Sequence, residues 1–549
     1  MNRLQQWLQS YGVYILATFA VWLPLLAPGY ILTLDAVFTP TLRMPEALTN
    51  DYPFYVLLHV LDIILPSEVI QKMLFFAIIP LAAIGLHKLL YLVRDEQKTS
   101  WRWGVYIASL FFAINPFTYS RFMAGQYLVL LGYALLPWFA SALIRFMGKP
   151  NLRTSGAVAG LTLAIGCISP HTLGLLAVIV LGIVIGSSWR DRSTAKETKL
   201  KAAAPKRLLH YGLIALAIVV VGSSYWLVPT ILGHGDTAST IRQFDSQHAA
   251  AFATEGENVF EKFANVLRLQ GFWAERHSLY LLPQDQLPGW GTIRLLVWAL
   301  VATGMVVLWR QRRRLAVIGL ILAAAGLLLG SGVGQSLLTA IGYREPHKFV
   351  GLLALAYAVA ISFGLAYVLE RVQRASRGWF TATACAALVV ILLFTPTMYG
   401  GFSSQLSLRN YPADWAELNQ RLKQDPSANA IFLPWHQYMS FGFAGRVIAN
   451  PAAHYFDTPV TGSNNPELEG ITQPQNDPRT AGINAVITSA AMRHDLGARL
   501  ARYNVRYIIL AKEYDYRKYA YLDSQQDLAV SWQGSTIMLY RNTAWKEQT

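Results

Sequence analysis

The sequence predicts a polytopic α-helical membrane protein of about eleven spans, N-terminus in and C-terminus out, with a C-terminal extracytoplasmic α/β domain. Three observations predict it. Of 549 residues, 54% are hydrophobic and only 14% are charged, far from the usage of a soluble domain. The apolar residues gather in stretches of about 17 to 25, each long enough to cross a bilayer as a helix. From Tyr411 onward that pattern stops, and the last ~150 residues read as a soluble domain of ordinary size.

The spans centre near Phe19, Ala82, Ser109, Ala134, Thr162, Ile179, Ala217, Val301, Ala323, Tyr357 and Val389. Met1 to Gln9 carries one cation ahead of the first apolar run, with no small-residue cleavage site, so the first span is expected to be retained. The formal net charge is +15. Its cations cluster in alternate loops: Arg94, Lys98 and Arg102; Lys149 and Arg153; Arg190 to Arg207; Arg310 to Arg314; Arg371, Arg374 and Arg377. Those loops are expected on the cytoplasmic side, and the charge reads as topology rather than as a nucleic-acid surface. The opposite loops, 29–66 and 233–289, then face outward with the C-terminal domain, dividing the chain into a membrane domain, 1–398, and an outer domain, 399–549. The 233–289 loop carries Asp245, His248, Glu255, Glu257 and His277, and its length exceeds that of ordinary connections. In the outer domain, Pro412 to Leu422 repeats apolar residues at helical spacing. Ala430 to Pro434 and Val505 to Ala511 read as strands, and Leu528 to Trp532 with Thr536 to Tyr540 as a hairpin through Gly534-Ser535. Cys167 and Cys385 lie in apolar segments without spaced Cys or His neighbours, so neither a disulfide framework nor a metal site is expected.

Four outward features carry the candidate chemistry. Asp35, in Pro28-Gly-Tyr-Ile-Leu-Thr-Leu-Asp35-Ala36, places a carboxylate at a membrane boundary, where an ionisable group is costly unless it serves a cavity or partner. A solvated loop aspartate is the plainer alternative. Asn115-Pro116-Phe117-Thr-Tyr119-Ser-Arg121 offers a guanidinium suited to phosphate, or an interfacial anchor within an aromatic belt. Arg344-Glu345-Pro346-His347-Lys348 runs against the positive-inside tendency, which points to an anionic partner such as a lipid phosphate. An Arg344–Glu345 ion pair is the structural alternative. Trp435, His436 and Tyr438, followed by Arg446 and His454 to Asp457, combine aromatic faces with hydrogen-bonding groups as sugar sites do, and as domain cores also do. His171, after Pro170, reads as a packed histidine.

An aspartate in the first outward loop, many further spans and an outer C-terminal domain resemble the GT-C superfamily of membrane glycosyltransferases, which use polyprenyl-phosphate-linked sugars. Asn115-Pro116-Phe117 with Arg121, Gly132-Tyr133-Ala-Leu-Leu136-Pro137 and Arg344-Glu345-Pro346-His347-Lys348 are similar to the membrane part of the mycobacterial arabinofuranosyltransferases. The resemblance covers about residues 10 to 400. Relatives commonly carry an acidic pair, whereas Asp35 is followed by Ala36. Asp51, farther along the loop, is the candidate second carboxylate.

The resemblance implies a plasma-membrane enzyme, active on its extracytoplasmic face, that moves a sugar from a polyprenyl-phosphate donor to an envelope glycan or glycolipid. Asp35 would act as general base, helped by Asp51, and Arg344, His347, Lys348 and Arg121 would hold the lipid phosphate. Trp435, His436 and Tyr438 would contact substrate. No cofactor is required by this reading, although a divalent metal is compatible with it, and no metal ligands are assigned. Two rivals stay open: a glycolipid or polysaccharide transporter or flippase, and a non-catalytic envelope-assembly protein. Against a transporter stand the lack of an internal repeat and the scarcity of charges within the spans.

Overall fold

A computed structural model of the chain describes residues 3–45, 47–189, 203–234, 237–238, 246–340, 342–465, 467, 477–490 and 494–547. Most of the basic stretch from Arg190, and Asp245, lie outside the described residues. Each of the eleven expected span centres falls in a helix. Seven described helices are long and apolar enough to cross a membrane: Gln5–Leu25, Ser67–Val93, Tyr127–Gly148, Pro205–Ile231, Trp290–Gln311, Arg313–Gly330 and Pro346–Ala375. Arg377–Leu393 and Pro396–Ser403, bent by 67°, make an eighth if taken as one broken span. Thr99–Ala113, Leu152–Ile168 and Thr172–Ser188 are apolar but only 15, 17 and 17 residues long, so the count by length falls below eleven. Thr99–Ala113 is short because Ile114 leaves helical geometry, and Pro116, which cannot continue a hydrogen-bonded helix, starts a new one capped by Asn115.

The chain divides into two compact units. The helical unit comprises Met1–Leu26, Pro45–Phe54 and Lys72–Gln405. Its most buried span is Pro346–Ala375. Small residues set the approach of its neighbours. A side chain at Gly304 would overlap the Ala360 carbonyl, one at Gly364 would collide with the Leu300 carbonyl, and one at Gly326 would meet the Leu353 backbone. Backbone contact of this kind is how helices associate where no hydrophobic effect drives them together.

The sheet unit comprises Leu406–Thr549 together with Ala27–Met44 and Tyr55–Gln71. Most of the first outward loop, counted with the membrane domain in the sequence reading, is thus built into this unit. The strands are β1 (Tyr30–Ile31), β2 (Leu408–Arg409), β3 (Ala430–Leu433), β4 (Tyr438–Phe441), β5 (Arg446–Ala449), β6 (Val460–Thr461), β7 (Tyr507–Ala511), β8 (Leu528–Gln533) and β9 (Ile537–Asn542). Five form one sheet in the order β6-β3-β7-β9-β8, with β3 parallel to β6 and β7 and the β8–β9 hairpin antiparallel. Both faces of β3 are covered: Ala430 and Phe432 join a core with Trp415, Leu418 and Leu422, and Ile431 and Leu433 join another with Ile483, Val486 and Leu500. A strand buried on both faces reads as a continuous apolar run rather than an alternation. Leu32 sits in the first of these cores at 2% exposure, which is the physical reason the loop belongs here.

Gly304→Leu is expected to cost about 1–3 kcal/mol or more through overpacking against backbone that cannot rotate away. Thermal unfolding of the detergent-purified protein measures this, and a variant melting with the wild type contradicts the packing argument.

Candidate active site

Asp35 stands at the tip of a tight turn in the sheet unit. Thr33 and Ala36 bridge across it, Ala36 N donating to Thr33 O at 2.6 Å and Thr33 N to Ala36 O at 3.2 Å. Leu34 pairs with Ile448 of β5 and accepts from Ala449 N at 2.8 Å, while Tyr438 of β4 lies opposite Ala449. The same backbone that holds the turn therefore delivers the Tyr438 hydroxyl, which donates to Asp35 Oδ1 at 2.8 Å. Leu34 and Ala36 are buried, whereas Asp35 between them is exposed. Side chains from 59–71 fix both ends of the loop. Gln71 brackets Ile31 at 2.9 and 2.8 Å, Glu68 accepts from Gly29 N at 2.6 Å, and Asp62 accepts from Leu42 N at 2.8 Å. Satisfying the loop's backbone polar groups in this way holds the carboxylate in one place.

The cationic residues gather in the helical unit. Asn115 caps the helix Pro116–Met123, its side chain accepting from Thr118 N at 3.2 Å while Thr118 Oγ1 accepts from Asn115 N at 3.1 Å. That cap sets the start of the two turns that carry Arg121 inward to complete burial. There Arg121 pairs with Glu345 and donates to His347 Nδ1 at 2.8 Å. His347 Nε2 faces Gln270 O at 3.0 Å, an acceptor only, so Nε2 carries the proton and Nδ1 receives from the guanidinium. Lys348 Nζ lies 3.4 Å from the second oxygen of Glu345. Burial works to raise the Glu345 carboxyl, but Arg121 and Lys348 outweigh it and hold the group below the usual carboxylate range. Two cations thus share one carboxylate. Lys348 also borders a small cleft of about 10 Å³, room for roughly one water molecule, lined by Phe117, Val129, Tyr133, His171, Thr172 and Leu175. Burial, then Lys348, holds the His171 imidazole well below the ordinary histidine pKa. Nearby, burial lifts the Glu275 carboxyl to about 7 against a hydrogen bond from Gly271 N at 2.9 Å.

The remaining candidates are distributed as follows. Arg344 lays its guanidinium over the Phe252 ring at 4.4 Å, and Glu345 turns instead to Arg121 and Lys348. Asp51 falls in the helical unit, where the Thr49 hydroxyl donates to it at 2.6 Å, so the structure assigns it to a different unit from Asp35. Trp435 is buried in the second core, its indole N–H donating to Asn484 at 3.0 Å. His436 is clamped between carboxylates, Nδ1 at 2.7 Å from Glu467 and Nε2 at 3.2 Å from Asp515. Both are acceptors, which requires the doubly protonated ring. Glu467 raises its pKa above the ordinary histidine value, burial opposing. Gln126, Gln270 and Glu345 escaped the sequence reading as site members. Only Glu345 left a signal there, as the one acid in a basic turn. Among the described residues no group of three or more His, Cys, Asp or Glu side chains is placed to hold a metal ion.

The described residues form a multi-span helical unit and a sheet unit that includes most of the first loop. Particular solved structures share it. The cryo-EM structure of the arabinofuranosyltransferase AftD from Mycobacteria matches 99% of this chain at 15% identity with a TM-score of 0.63, and the match spans 40% of the AftD chain. A point mutant of AftD matches in two classes, at 15% and 16% identity with TM-scores of 0.61 and 0.59. The chain therefore corresponds to about two fifths of AftD's length. No known family profile matches the sequence, and neither does any curated protein.

Glu345→Ala should cost about 3–5 kcal/mol, because it leaves Arg121 buried without its counter-charge, and pairing Arg121→Met with Glu345→Leu should recover most of that loss. Unfolding midpoints of the wild type and the two variants test it; a silent single variant contradicts the pairing. The His436 clamp has the opposite pH sense to a salt-bridged acid. Its folded pKa lies above the unfolded value of 6.5, so its stabilisation is complete below that value and is lost as pH rises through the folded one. Limited proteolysis between about pH 5 and 9 should show loosening on the alkaline side in wild type, and no such step in His436→Gln.

Proposed function

We propose that the chain is a membrane glycosyltransferase of the GT-C kind, moving a sugar from a polyprenyl-phosphate donor to an envelope glycan or glycolipid on the extracytoplasmic face of the plasma membrane. One observation carries the reading: an exposed carboxylate, Asp35, held at the tip of a fully anchored turn and oriented by a tyrosine hydroxyl. A solvated loop aspartate has no need of such a mount. The likeness in fold to AftD over 99% of the chain supports the same class.

In this reading the acceptor hydroxyl oxygen attacks the anomeric carbon while Asp35 takes its proton. The bond from that carbon to the phosphate oxygen breaks, and its electron pair leaves with the polyprenyl phosphate. Charge then grows on the phosphate, where a cation aimed at it in advance lowers the barrier. Among Arg121, Arg344, His347 and Lys348, the cations expected to meet that phosphate, Lys348 has the looser hold on Glu345, at 3.4 Å. Arg121 and His347 are spent largely on Glu345 and Gln270 and position the cluster. Tyr438 belongs to Asp35 as an orienting donor, a role that differs from the sugar contact expected of it. Asp51 and the sugar itself are left outside the mechanism.

Asp35→Asn keeps the shape and the Tyr438 contact but removes the basic oxygen. Turnover of a polyprenyl-phosphate sugar should fall at least a hundredfold, the lower end of what general-base loss costs. Expression and lipid retention should be unchanged. Transfer at the wild-type rate contradicts the assignment of Asp35, and movement of intact lipid without product favours the transporter instead.

A further inference from the structure

One pair of cations elsewhere in the helical unit has no acidic partner. Trp290, Arg294 and Trp298 follow one another at four-residue spacing, so they share one face of the first turns of the Trp290–Gln311 span. The Arg294 guanidinium lies 4.9 Å from the Trp298 ring and 5.8 Å from that of Trp290. Trp298 Nε1 donates to Leu267 O at 3.1 Å, and the Tyr357 hydroxyl reaches the same carbonyl at 3.4 Å. Leu267 ends the helix Val259–Leu267, and these contacts set the next residue, Arg268, beside Arg294.

Among the described residues neither arginine forms a salt bridge. Arg268 has only a 3.5 Å contact from Nη1 to Asn265 Oδ1. Both Nε atoms are sealed from solvent without a hydrogen-bond partner. Burial, and after it the charge of Arg294, depresses the pKa of Arg268, which is the mark of two cations pressed together. Arginine does not escape such a position by losing its proton, and a buried guanidinium N–H without an acceptor is costly. An anion shared by the two would remove both costs, and planar guanidinium groups carried by neighbouring elements suit a phosphate group.

The surroundings say where that phosphate comes from. Leu295 and Leu296, next to Arg294, are 57% and 46% exposed, as side chains facing lipid are. Val259 and Phe260, at the start of the helix leading to Arg268, are 55% and 83% exposed. Tryptophans in the first turns of a span mark the headgroup level. We infer that Arg268 and Arg294 form a site for the phosphate of a membrane-lipid headgroup, separate from the residues assigned to the glycosyl donor. The site does not depend on the proposed transfer reaction, and it would persist in a transporter or a scaffold.

Native mass spectrometry of the full chain in detergent, titrated with dioleoylphosphatidylglycerol, tests it in wild type, Arg268→Gln/Arg294→Gln and Arg268→Lys. The double variant should hold the lipid at least tenfold more weakly, and Arg268→Lys should keep most of the binding. Lipid retained in wild type under excess inorganic phosphate assigns the site to a headgroup. Lipid displaced by it overturns the lipid source in favour of free phosphate. Equal retention in wild type and double variant overturns the site altogether. Removing one of two repelling cations should leave the lipid-free thermal midpoint of Arg268→Gln unchanged or raised. A fall in that midpoint would show Arg268 to be a structural group and would also overturn the inference.

Discussion

The structure of the sheet unit depends on one constraint: the segment between the first two spans is part of its core. Leu32 packs with Trp415 and Phe432, β1 pairs with β2, and Leu34 pairs with Ile448. A loop free in solvent would let a carboxylate wander. This one is closed by a two-residue bridge and gripped by Gln71, Glu68 and Asp62, so Asp35 has a fixed address on a rigid sheet. Rigid mounting matters because proximity and orientation account for much of a catalytic group's effect. The Tyr438 hydroxyl adds a directional contact to one carboxylate oxygen.

A second constraint governs the helical unit, and it is electrostatic. Arg121 is completely buried, a position that would be prohibitive for a lone cation, and Glu345 makes it tolerable. Lys348 then brings a second positive charge to the same carboxylate and stands at the wall of a cleft. Arg121 and Lys348 thus share one buried carboxylate, and His347 accepts from Arg121 beside them. Arg268 and Arg294 show the same logic without an internal carboxylate.

Much of the helical unit was legible in the sequence, because apolar runs are local signals. Span number was less legible. Ser109, Thr162 and Ile179 sit in apolar helices whose ends come too early for a full crossing, and composition does not register where a helix stops. The strands β3, β7, β8 and β9 announced themselves by apolar runs and a turn. β4 and β5 did not, since Tyr438 to Ala449 shows no clean alternation and their partner, Leu34, lies more than four hundred residues away. The same distance effect hid the key contacts of the site. Asp35, Arg121, His347 and Lys348 could be named as candidates from residue type and place, but Tyr438 on Asp35 and Glu345 on Arg121 are separated by 403 and 224 residues. Trp435 shows the converse: an aromatic beside polar residues looks the same in sequence whether it faces a sugar or a core.

The proposed function stands on a lipid-linked sugar as the natural ligand. Native mass spectrometry of the protein purified in native-like lipid tests that claim most directly. The account predicts a co-purifying polyprenyl phosphate or its sugar conjugate, whose mass would name the class of sugar. Recovery of ordinary phospholipids alone would contradict it.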